Sequence, residues 1–365
     1  MAIKQKIALA HDFMTVGGAE NVLEHMHQLW PDATVYTLYR QDREVFRGWS
    51  VCTSIAQPFL SGKTYRFPFP LYPWLTNRLT KQLDPEIDLL LSSSVSYMKN
   101  VVMPPGVPHI CYIHRAAMFA YDRQEMFLSG YPALARPLLR FFCNRFRKWD
   151  QRYAKNPDLY IANSRYVAAM VKRVYNADAR VVYPGVDIQP FRAAGLATSP
   201  GEYYFCALRL EGYKRIDLII EACNQLQLPL KIAGSGPYRG ELEKIAGPTI
   251  EFLGFVPDEE MPGLFAGAKA FLFPSEEDFG IAPVESLAAG RPVIALNKAG
   301  TAETVVHGVT GVHFAEQNMD DIMGAMLLAE SIDWDADAIR ESAIPFSTEV
   351  FKEKISKIVG KYLAE

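Results

Sequence analysis

The sequence lacks the long apolar runs of a membrane-spanning protein. No stretch approaches about 18 consecutive apolar residues, so a transmembrane helix is not expected. The first apolar run, Ile7–Ala10, stops at His11 and Asp12, which is too short for the core of a secretion signal and is typical of a buried strand. Only five cysteines occur, with no CxxC spacing, so neither a zinc cluster nor a disulfide framework is favoured. These absences predict a cytoplasmic protein.

Two common nucleotide-binding motifs are also missing. There is no GxxxxGKS/T phosphate loop, and Arg239 stands where the pair Gly234 and Gly236 would need a third glycine for a dinucleotide fingerprint. The acidic run Asp333–Asp337 resembles a DxD metal motif. It precedes a late helix instead of following a central strand, so helix capping is the better interpretation.

The composition is that of a globular protein of two domains. The 365 residues are 49% hydrophobic and 22% charged. Residues 1–185 hold 23 Lys and Arg against 14 Asp and Glu, whereas residues 186–365 hold 15 against 27. A basic half could face nucleic acid, phosphate groups or an anionic membrane. No recognised nucleic-acid-binding module occurs, so nucleic acid is not an expected partner.

Short apolar runs alternate with amphipathic helical stretches along the chain. The predicted strands are Lys6–Ala10, Ala33–Thr37, Ile87–Ser92, His109–Ile113, Leu159–Ala162, Val181–Tyr183, Tyr203–Ala207, Leu230–Ala233, Ile250–Leu253, Ala270–Phe273, Val293–Ala295 and Gly311–Phe314. The predicted helices are Glu20–Trp30, Arg165–Tyr175, Arg215–Leu226, Tyr238–Ala246, Glu259–Ala268, Pro283–Ala289, Met319–Ala329 and Phe346–Leu363. This alternation predicts an α/β fold of two Rossmann-like, doubly wound parallel-sheet domains. Ligands of such sheets bind beyond the carboxyl ends of the strands.

The domain boundary is predicted at Pro184–Asp187. Proline and glycine interrupt the pattern there, a strand ends just before it, and the sign of the charge reverses. The expected domains are residues 1–184 and 185–345. A C-terminal helix in residues 346–365 is expected to pack back on the first domain.

A loop and helix start after strand Ala270–Phe273 carry the strongest constellation. Phe279 and Gly280 break the chain, and a helix is predicted whose first turn holds Pro283 and Glu285. Backbone N–H groups at such a helix start, including that of Ile281, can hold phosphate. The carboxylates of Glu277 and Glu285 could grip hydroxyl groups at two points of one ligand.

Cations and glycines follow other strands of the two sheets. Arg209 and Lys214 come after strand Tyr203–Ala207 and could neutralise a diphosphate without a metal. The glycine pairs let the backbone approach a ligand closely; they are Gly17 with Gly18 and Gly234 with Gly236. His114 follows strand His109–Ile113, where an imidazole could bond a sugar hydroxyl or move a proton.

These residues resemble those of the retaining glycosyltransferase family 4, which has the GT-B architecture. The resemblance covers nearly the whole chain. It depends on Glu277-x7-Glu285 above all, and also on Glu303 and on the motifs Gly17-Gly18-Ala19-Glu20, Asn163-Ser164, Pro184–Asp187, Arg209 with Lys214, and Gly234-Ser235-Gly236-Pro237. The opening His11-Asp12-Phe13-Met14 is most similar to the branch with bacterial polysaccharide and O-antigen mannosyltransferases, which favours GDP-mannose as donor.

The resemblance implies a role for each matching residue. The first domain would bind the acceptor and the second the nucleotide sugar, across a cleft. Arg209 and Lys214 would hold the donor diphosphate, Glu285 the ribose hydroxyls and Glu277 the transferred sugar. His114 would lie by the donor sugar and the attacking acceptor, with Gly17, Gly18, Phe279, Gly280 and Ile281 also at the donor. No metal, no cofactor and no covalent sugar intermediate are implied.

Three other interpretations were open from the sequence. A UDP-sugar could replace GDP-mannose as donor, because no base-reading code is visible. A sugar-nucleotide epimerase can share this architecture, and it would convert the donor without any acceptor. A non-catalytic binding subunit is disfavoured because all the expected site residues are present.

A basic and aromatic segment suggests where the acceptor comes from. Residues 131–155 contain seven cations, among them Arg140, Arg147 and Lys148, against the single acid Asp150. A second aromatic and basic stretch is Tyr65–Lys81. Such segments can rest on an anionic membrane surface. We therefore expect peripheral contact with the inner membrane face and a glycan or polyprenyl-diphosphate-linked acceptor.

Overall fold

The chain folds into two compact units in a computed structural model, which describes residues 5–15, 17–62, 65 and 69–364. Unit 1 comprises residues 1–183 and 351–365, and unit 2 comprises residues 184–350. Helices and strands are numbered below in chain order through both units.

Unit 1 is built on a parallel sheet. Its strands are β1 (Ile7–Met14), β2 (Val35–Arg40), β3 (Val51–Thr53), β4 (Leu89–Ser94), β5 (His109–Ile113), β6 (Leu159–Ala162) and β7 (Ala179–Val181). Over the described residues they form one seven-stranded sheet in the order β3-β2-β1-β4-β5-β6-β7. The helices of unit 1 are α1 (Gly18–Leu29), α2 (Tyr72–Thr80), α3 (Gln124–Ser129), α4 (Arg136–Tyr153), α5 (Arg165–Tyr175) and most of α14 (Thr348–Ala364).

Unit 2 repeats the plan with a smaller sheet. Its strands are β8 (Tyr204–Ala207), β9 (Leu230–Ala233), β10 (Ile250–Gly254), β11 (Ala270–Phe273), β12 (Val293–Leu296) and β13 (Gly311–Phe314). Among the described residues they pair in parallel as a six-stranded sheet in the order β10-β9-β8-β11-β12-β13. The helices are α6 (Gln189–Ala197), α7 (Ile216–Leu226), α8 (Arg239–Ile245), α9 (Met261–Ala266), α10 (Ile281–Ala288), α11 (Thr301–Thr304), α12 (Met319–Glu330) and α13 (Ala336–Ser342). The predicted α/β class with two parallel-sheet domains is confirmed.

The first strand differs from the prediction in a way that matters for the site. The prediction ended it at Ala10, because two polar residues are costly to bury without partners. In the structure β1 continues through His11 and Asp12 to Met14, and both polar side chains are buried. Hydrogen bonds from neighbouring groups satisfy them, so the strand carries polar chemistry into the carboxyl edge of the sheet.

Two smaller predictions at the edge of the unit 1 sheet were wrong. Strand Val51–Thr53 was missed, because its three partly buried residues are too few to show the alternation of apolar and polar residues that indicates a strand. The last strand of unit 1 lies at Ala179–Val181 instead of Val181–Tyr183.

The acidic run Asp333–Asp337 was interpreted as a helix cap, and the structure confirms that interpretation. Asp335 accepts hydrogen bonds from the backbone N–H groups of Asp337 and Ala338 at the start of α13.

The C-terminal helix contributes to the core of unit 1. Phe351, Ile355 and Val359 of α14 are buried in one apolar cluster with residues of β1 and β4. The Phe351 ring also packs edge-on against the Tyr112 ring of β5.

Candidate active site

A cavity of about 300 Å³ lies at the carboxyl edge of the unit 2 sheet. Residues that follow β8 and β9 line it together with α10, and the full set is Ala207, Leu208, Arg209, Ala233, Gly234, Ser235, Phe255, Val256, Asp258, Met261, Ala282 and Glu285. Three residues predicted from separate stretches of sequence therefore meet around one cavity: Arg209, Gly234 and Glu285. This is the position at which ligands bind open α/β sheets.

Glycine is required where the loop after β9 passes the loop after β8. A Cβ atom on Gly234, whose φ is 132°, would lie 2.0 Å from the carbonyl oxygen of Leu208. A Cβ on Gly236 would lie 2.2 Å from the carbonyl oxygen of Leu210. Only residues without a side chain permit this approach, so the backbone itself forms the cavity wall beside Arg209.

Lys214 and Glu277 form an ion pair. Lys214 follows β8 and Glu277 follows β11, and these two strands are neighbours in the unit 2 sheet. The Lys214 side chain is buried, and its ammonium lies 5.0 Å from the centre of the Tyr213 ring. Ser275 donates a hydrogen bond of 3.3 Å to Glu277 Oε1. Arg209 is exposed and donates to the Tyr213 hydroxyl at 3.2 Å. The structure thus links both predicted cations through Tyr213, and it ties Glu277 to one of them.

Helix α10 begins earlier than predicted. Its first residue is Ile281 and its N-cap is Gly280 with φ 86°, a left-handed value that favours glycine. Pro283 is therefore the third helical residue instead of the first, and Glu285 is the fifth. The backbone of Gly300 packs closely against the turn before the helix, because a Cβ there would lie 2.2 Å from the carbonyl oxygen of the buried residue Phe279.

Glu285 lines the unit 2 cavity and has a raised pKa. Burial raises the pKa of this carboxyl to about 7, and the neighbouring Asp258 carboxylate adds to the effect. Near neutral pH the carboxyl therefore exists in both forms. Protonated, it can donate a hydrogen bond as well as accept one, which suits recognition of hydroxyl groups.

His114 lies at the carboxyl edge of the unit 1 sheet, in a short hydrogen-bonded chain. Its Nε2 is 2.8 Å from Ser93 Oγ, which is 3.1 Å from Nδ1 of His11. The Asn163 amide donates to the His114 carbonyl oxygen at 3.1 Å. Burial, together with His11, lowers the pKa of His114 to about 3, so the imidazole is neutral at pH 7.

Asp12 organises the loop that follows β4. Its carboxylate accepts hydrogen bonds from four consecutive backbone N–H groups, those of Val95, Ser96, Tyr97 and Met98. The Ser94 hydroxyl donates to it as well, at 3.3 Å. A buried charge with these partners fixes the loop beside Ser93 and His114.

The glycine pair of unit 1 opens α1. Gly17 is the N-cap and Gly18 the first helical residue. The Glu20 carboxylate accepts hydrogen bonds from the N–H and hydroxyl of Thr15, the latter at 2.7 Å, and closes the turn before the helix. The Gly17 and Gly18 backbone therefore lies just beyond the carboxyl end of β1.

The basic segment of unit 1 is the helix α4. Its inner face is held by Asp150, whose buried carboxylate pairs with Lys99 at 2.5 Å. Arg140 donates to both carboxylate oxygens of Glu125, at 2.9 and 2.8 Å, and Arg147 donates to the Ala120 carbonyl at 2.6 Å. Together with the short turns before and after the helix, the outer face of α4 exposes apolar residues first and basic residues after them: Leu134, Leu138, Phe141, Arg145, Lys148, Arg152 and Lys155. None of the described helices, α4 included, has the length and apolar character to cross a membrane.

Two family descriptions match this chain in adjoining stretches. Residues 16–190 match the description Glycosyltransferase Family 4, and residues 187–344 match Glycosyl transferases group 1. The second stretch contains the whole cavity of unit 2 and the Lys214–Glu277 pair. The chain belongs to the family 4 glycosyltransferases.

Several curated relatives of this family 4 glycosyltransferase carry mannosyltransferase names. The chain is 27% identical over 258 residues to the alpha-1,3/1,6-mannosyltransferase ALG2 of Homo sapiens, a match that covers 59% of this chain and 61% of that protein. It is 30% identical over 213 residues to the GDP-mannose-dependent alpha-(1-6)-phosphatidylinositol monomannoside mannosyltransferase of Mycolicibacterium smegmatis, covering 49% of this chain and 55% of that protein. The chain thus spans between half and two thirds of the length of these relatives.

Solved structures of similar fold superpose on nearly the whole length of this chain. HepE from Anabaena, solved in complex with UDP, superposes with a TM-score of 0.72 at 18% identity and covers 98% of this chain and 100% of its own. Together with the two parallel sheets, this similarity confirms the GT-B fold of the family 4 glycosyltransferase.

Sequence reasoning missed two residues of this family 4 glycosyltransferase. Ser93 was not considered, because a serine inside an apolar strand is usually satisfied by backbone groups, and its two histidine partners come from different strands. Asp12 was quoted only within a motif. The available signal was a charged residue directly after an apolar run in a parallel sheet, the position at which such folds place site residues.

Proposed function

We propose that this protein is a retaining hexosyltransferase that moves mannose from GDP-mannose to a glycan or lipid-linked acceptor in cell-surface polysaccharide synthesis. The observation that carries the proposal is the unit 2 cavity, where Arg209, the Gly234 backbone and Glu285 meet at the carboxyl edge of the sheet. The guanidinium and the glycine backbone suit a diphosphate. The carboxyl of raised pKa suits the hydroxyl groups of a ribose joined to it. The mannosyltransferase names of the relatives support mannose as the sugar and GDP as the carrier.

In this proposal the leaving diphosphate is stabilised by the protein's own charges. Arg209 offers a planar fork of N–H donors to phosphate oxygens, and Lys214 adds a second positive charge. The N–H groups at the start of α10, from Ile281 onward, add partial positive charge directed at an anion. As the bond between the anomeric carbon and the diphosphate breaks, the negative charge that grows on the leaving oxygen is stabilised by these groups.

Retention of configuration then needs no protein nucleophile. The acceptor hydroxyl forms the new bond to the anomeric carbon, and its proton passes to the departing diphosphate oxygen. Glu277 is tied to Lys214 and to the Ser275 hydroxyl, an arrangement that suits positioning of a sugar hydroxyl more than attack on carbon. We assign His114, neutral at pH 7, to hydrogen bonding with a sugar hydroxyl.

The protein is also proposed to meet its acceptor at an anionic membrane surface. The outer face of α4 exposes Leu134, Leu138 and Phe141 ahead of four basic side chains. Leu71 and Trp74, at the start of α2, are more than half exposed as well. In the predicted stretch Tyr65–Lys81, residues 66–68 lie outside the described residues. Apolar side chains for the acyl boundary beside cations for the headgroups are the composition of an interfacial helix.

The experiment that tests the proposal is a panel of nucleotide sugars. The purified protein is titrated with GDP-mannose, GDP, UDP-glucose and UDP, and each bound donor is then incubated with and without lipid-linked glycan acceptors. We expect GDP-mannose to bind tightest and to yield a product with retained anomeric configuration only when acceptor is present. Tighter binding of UDP-sugars would replace the donor assignment. Conversion of the donor without any acceptor would show an epimerase and overturn transfer.

A further inference from the structure

A cavity of about 460 Å³ in unit 1 has no place in the donor chemistry. It lies at the carboxyl edge of the unit 1 sheet, between Phe13 at the end of β1 and Ser96 and Tyr97 after β4. The other wall is formed by Phe127 of α3 and by Tyr131, in the segment that joins α3 to α4. We propose that this cavity binds the hydrocarbon chain of an anionic, phosphorylated lipid acceptor, an inference that rests on the proposed function and names its acceptor class.

The lining of the cavity favours an apolar chain over a sugar. Of the ten described residues that line it, eight are aromatic, and none of these ten carries a carboxylate, amide or cationic side chain. Sugars are bound through such polar groups, because each buried hydroxyl needs a hydrogen-bond partner. The polar side-chain groups of the lining are hydroxyls, and one of them, that of Tyr72, already donates to the Tyr65 carbonyl oxygen.

The aromatic walls are packed against one another and hold the cavity open. The Phe13 ring lies 5.0 Å from the Tyr72 ring and 5.8 Å from the Tyr97 ring, both edge-on. On the opposite wall the rings of Phe127 and Tyr131 are 5.2 Å apart. The cavity's volume lies within the range of about 300–1,000 Å³ found for small-molecule sites. A preformed apolar site of this kind binds a chain without the cost of ordering its walls.

A cation bonded to the backbone of the cavity wall supplies charge complementarity for a phosphate, although its side chain does not itself line the cavity. The guanidinium of Arg136, the first residue of α4, donates to the carbonyl oxygens of Ser129 and Tyr131, at 3.3 and 3.0 Å. It therefore stands beside Gly130 and Tyr131, which line the cavity. The rim is also continuous along the chain with the exposed Leu134 and Leu138, the apolar residues that open the outer face of α4. The aromatic cavity would hold the apolar chain of an amphiphile, and the neighbouring Arg136 would bind its anionic head.

Gly130 allows the cavity to be blocked without strain. Its φ is −70°, a value that any residue adopts, and an added Cβ would meet only the Phe127 carbonyl oxygen within 4 Å, at 3.5 Å. Gly130→Trp should therefore fold and fill the mouth. Gly360 provides the matched control, since it is exposed on α14 in the same unit and an added Cβ there meets nothing within 4 Å.

The test is calorimetric titration with butyl, hexyl and octyl phosphate, and with octanol and inorganic phosphate as the two partial ligands. We expect affinity to rise with chain length, by up to about fourfold for each added methylene that is buried. Gly130→Trp should lower the affinity for octyl phosphate at least tenfold, whereas Gly360→Trp should leave it unchanged. Arg136→Met should weaken octyl phosphate about tenfold and octanol little.

Each other outcome counts against the inference. Affinity that does not depend on chain length, equal binding by Gly130→Trp and wild-type protein, or displacement of octyl phosphate by mannose or an oligosaccharide would overturn it. GDP-mannose is titrated into the same samples. If the wild-type protein binds GDP-mannose but not the alkyl phosphates, only the lipid cavity is rejected. If the wild-type protein does not bind GDP-mannose, the proposed function itself is rejected.

Discussion

The Oγ atom of Ser93 lies 2.8 Å from Nε2 of His114 and links it to His11, whose Nδ1 is 3.1 Å from the same oxygen. A hydroxyl has one proton, so it donates to one imidazole and accepts from the other. The tautomer of His114 is therefore coupled to that of His11. Which nitrogen of His114 carries its proton therefore depends on His11, although the two imidazoles share only the Ser93 hydroxyl.

Ser93→Ala should uncouple these two imidazoles. We expect kcat to fall about tenfold with little change in KM for the donor, since the loss is of orientation at one hydrogen bond. The matched control is Ser92→Ala, because Ser92 is on the same strand and its hydroxyl makes an equal contact, 2.8 Å, to Nε2 of His109. Equal losses of kcat in both variants would mean that Ser93 is only structural. Nitrogen-15 NMR of the imidazoles should show a changed tautomer of His114 only in Ser93→Ala.

Glu285 should make the free energy of unfolding depend on pH. Its pKa is raised from 4.5 to about 7 in the folded protein, so the folded state binds the proton more tightly than the unfolded chain does. The stabilisation by this proton is complete below the unfolded pKa and is lost as pH rises through about 7. The neutral His109 and His114, whose pKa values are lowered to about 3, change the stability in the opposite direction over part of this range, so the contribution of Glu285 is measured as a difference between variants. In urea unfolding at a series of pH values, the free energy of unfolding of wild-type protein relative to Glu285→Gln should fall as pH rises through about 7, whereas the exposed Glu202→Gln should follow the wild type; a Glu285→Gln protein with the wild-type pH dependence would contradict the assignment.

Arg209 should be needed for the diphosphate. Arg209→Ala is expected to weaken binding of GDP-mannose and to slow transfer at least tenfold, the scale of one charge-assisted phosphate contact. Arg239→Ala is the control, because Arg239 is a half-exposed cation of the same unit that pairs with Glu243. In titrations with GDP-mannose, Arg209→Ala should bind more weakly than the wild type, whereas Arg239→Ala should bind with the wild-type affinity. Normal kinetics in a folded Arg209→Ala protein would remove this residue from the donor site.

Transfer should continue in the presence of a chelator. In the proposed donor site, Arg209, Lys214 and the start of α10 supply the positive charge that stabilises the leaving diphosphate, so no metal ion is required. Initial rates after exhaustive EDTA treatment should equal those with added Mg²⁺ or Mn²⁺. Loss of activity that either ion restores would require different chemistry at the leaving group.

Binding to liposomes should depend on the outer face of α4. Of the three cations nominated from the sequence, Lys148 is exposed, while Arg140 pairs with Glu125 and Arg147 bonds the Ala120 carbonyl. Co-sedimentation should rise with anionic lipid and fall with salt. Reversing Arg145 and Lys148 to Glu should lower it at least tenfold, since each cation contributes up to about 1 kcal/mol at an anionic surface.

The control for this surface is a pair of exposed lysines elsewhere in unit 1. Lys354 and Lys357 lie on α14, and reversing both makes the same change in net charge. If the α14 variant loses as much binding as the α4 variant, the attraction is one of overall charge and α4 is no docking face. A wild-type protein that ignores anionic liposomes at low salt would end the membrane proposal.

The sequence predicted the sheets better than the site. Alternating apolar runs located the central strands, and His109–Ile113 and Ala270–Phe273 have the predicted bounds, because a strand covered on both faces must be apolar. The start of α10 was placed too late, since Pro283 is tolerated at the third helical position as well as the first. The ion pair of Lys214 with Glu277 joins residues far apart in sequence, and no local pattern encodes such a contact.

The burial of α14 in unit 1 has a consequence for synthesis. Phe351, Ile355 and Val359 complete a core whose other residues belong almost entirely to the first half of the chain. During translation that first half emerges from the ribosome with part of its apolar surface uncovered, and it must wait while residues 184–350 are made. At about 5–20 residues per second this interval is on the order of 10–30 s. The nascent protein therefore passes through a period in which the core of unit 1 is incomplete and its apolar surface is open to chaperones or to aggregation.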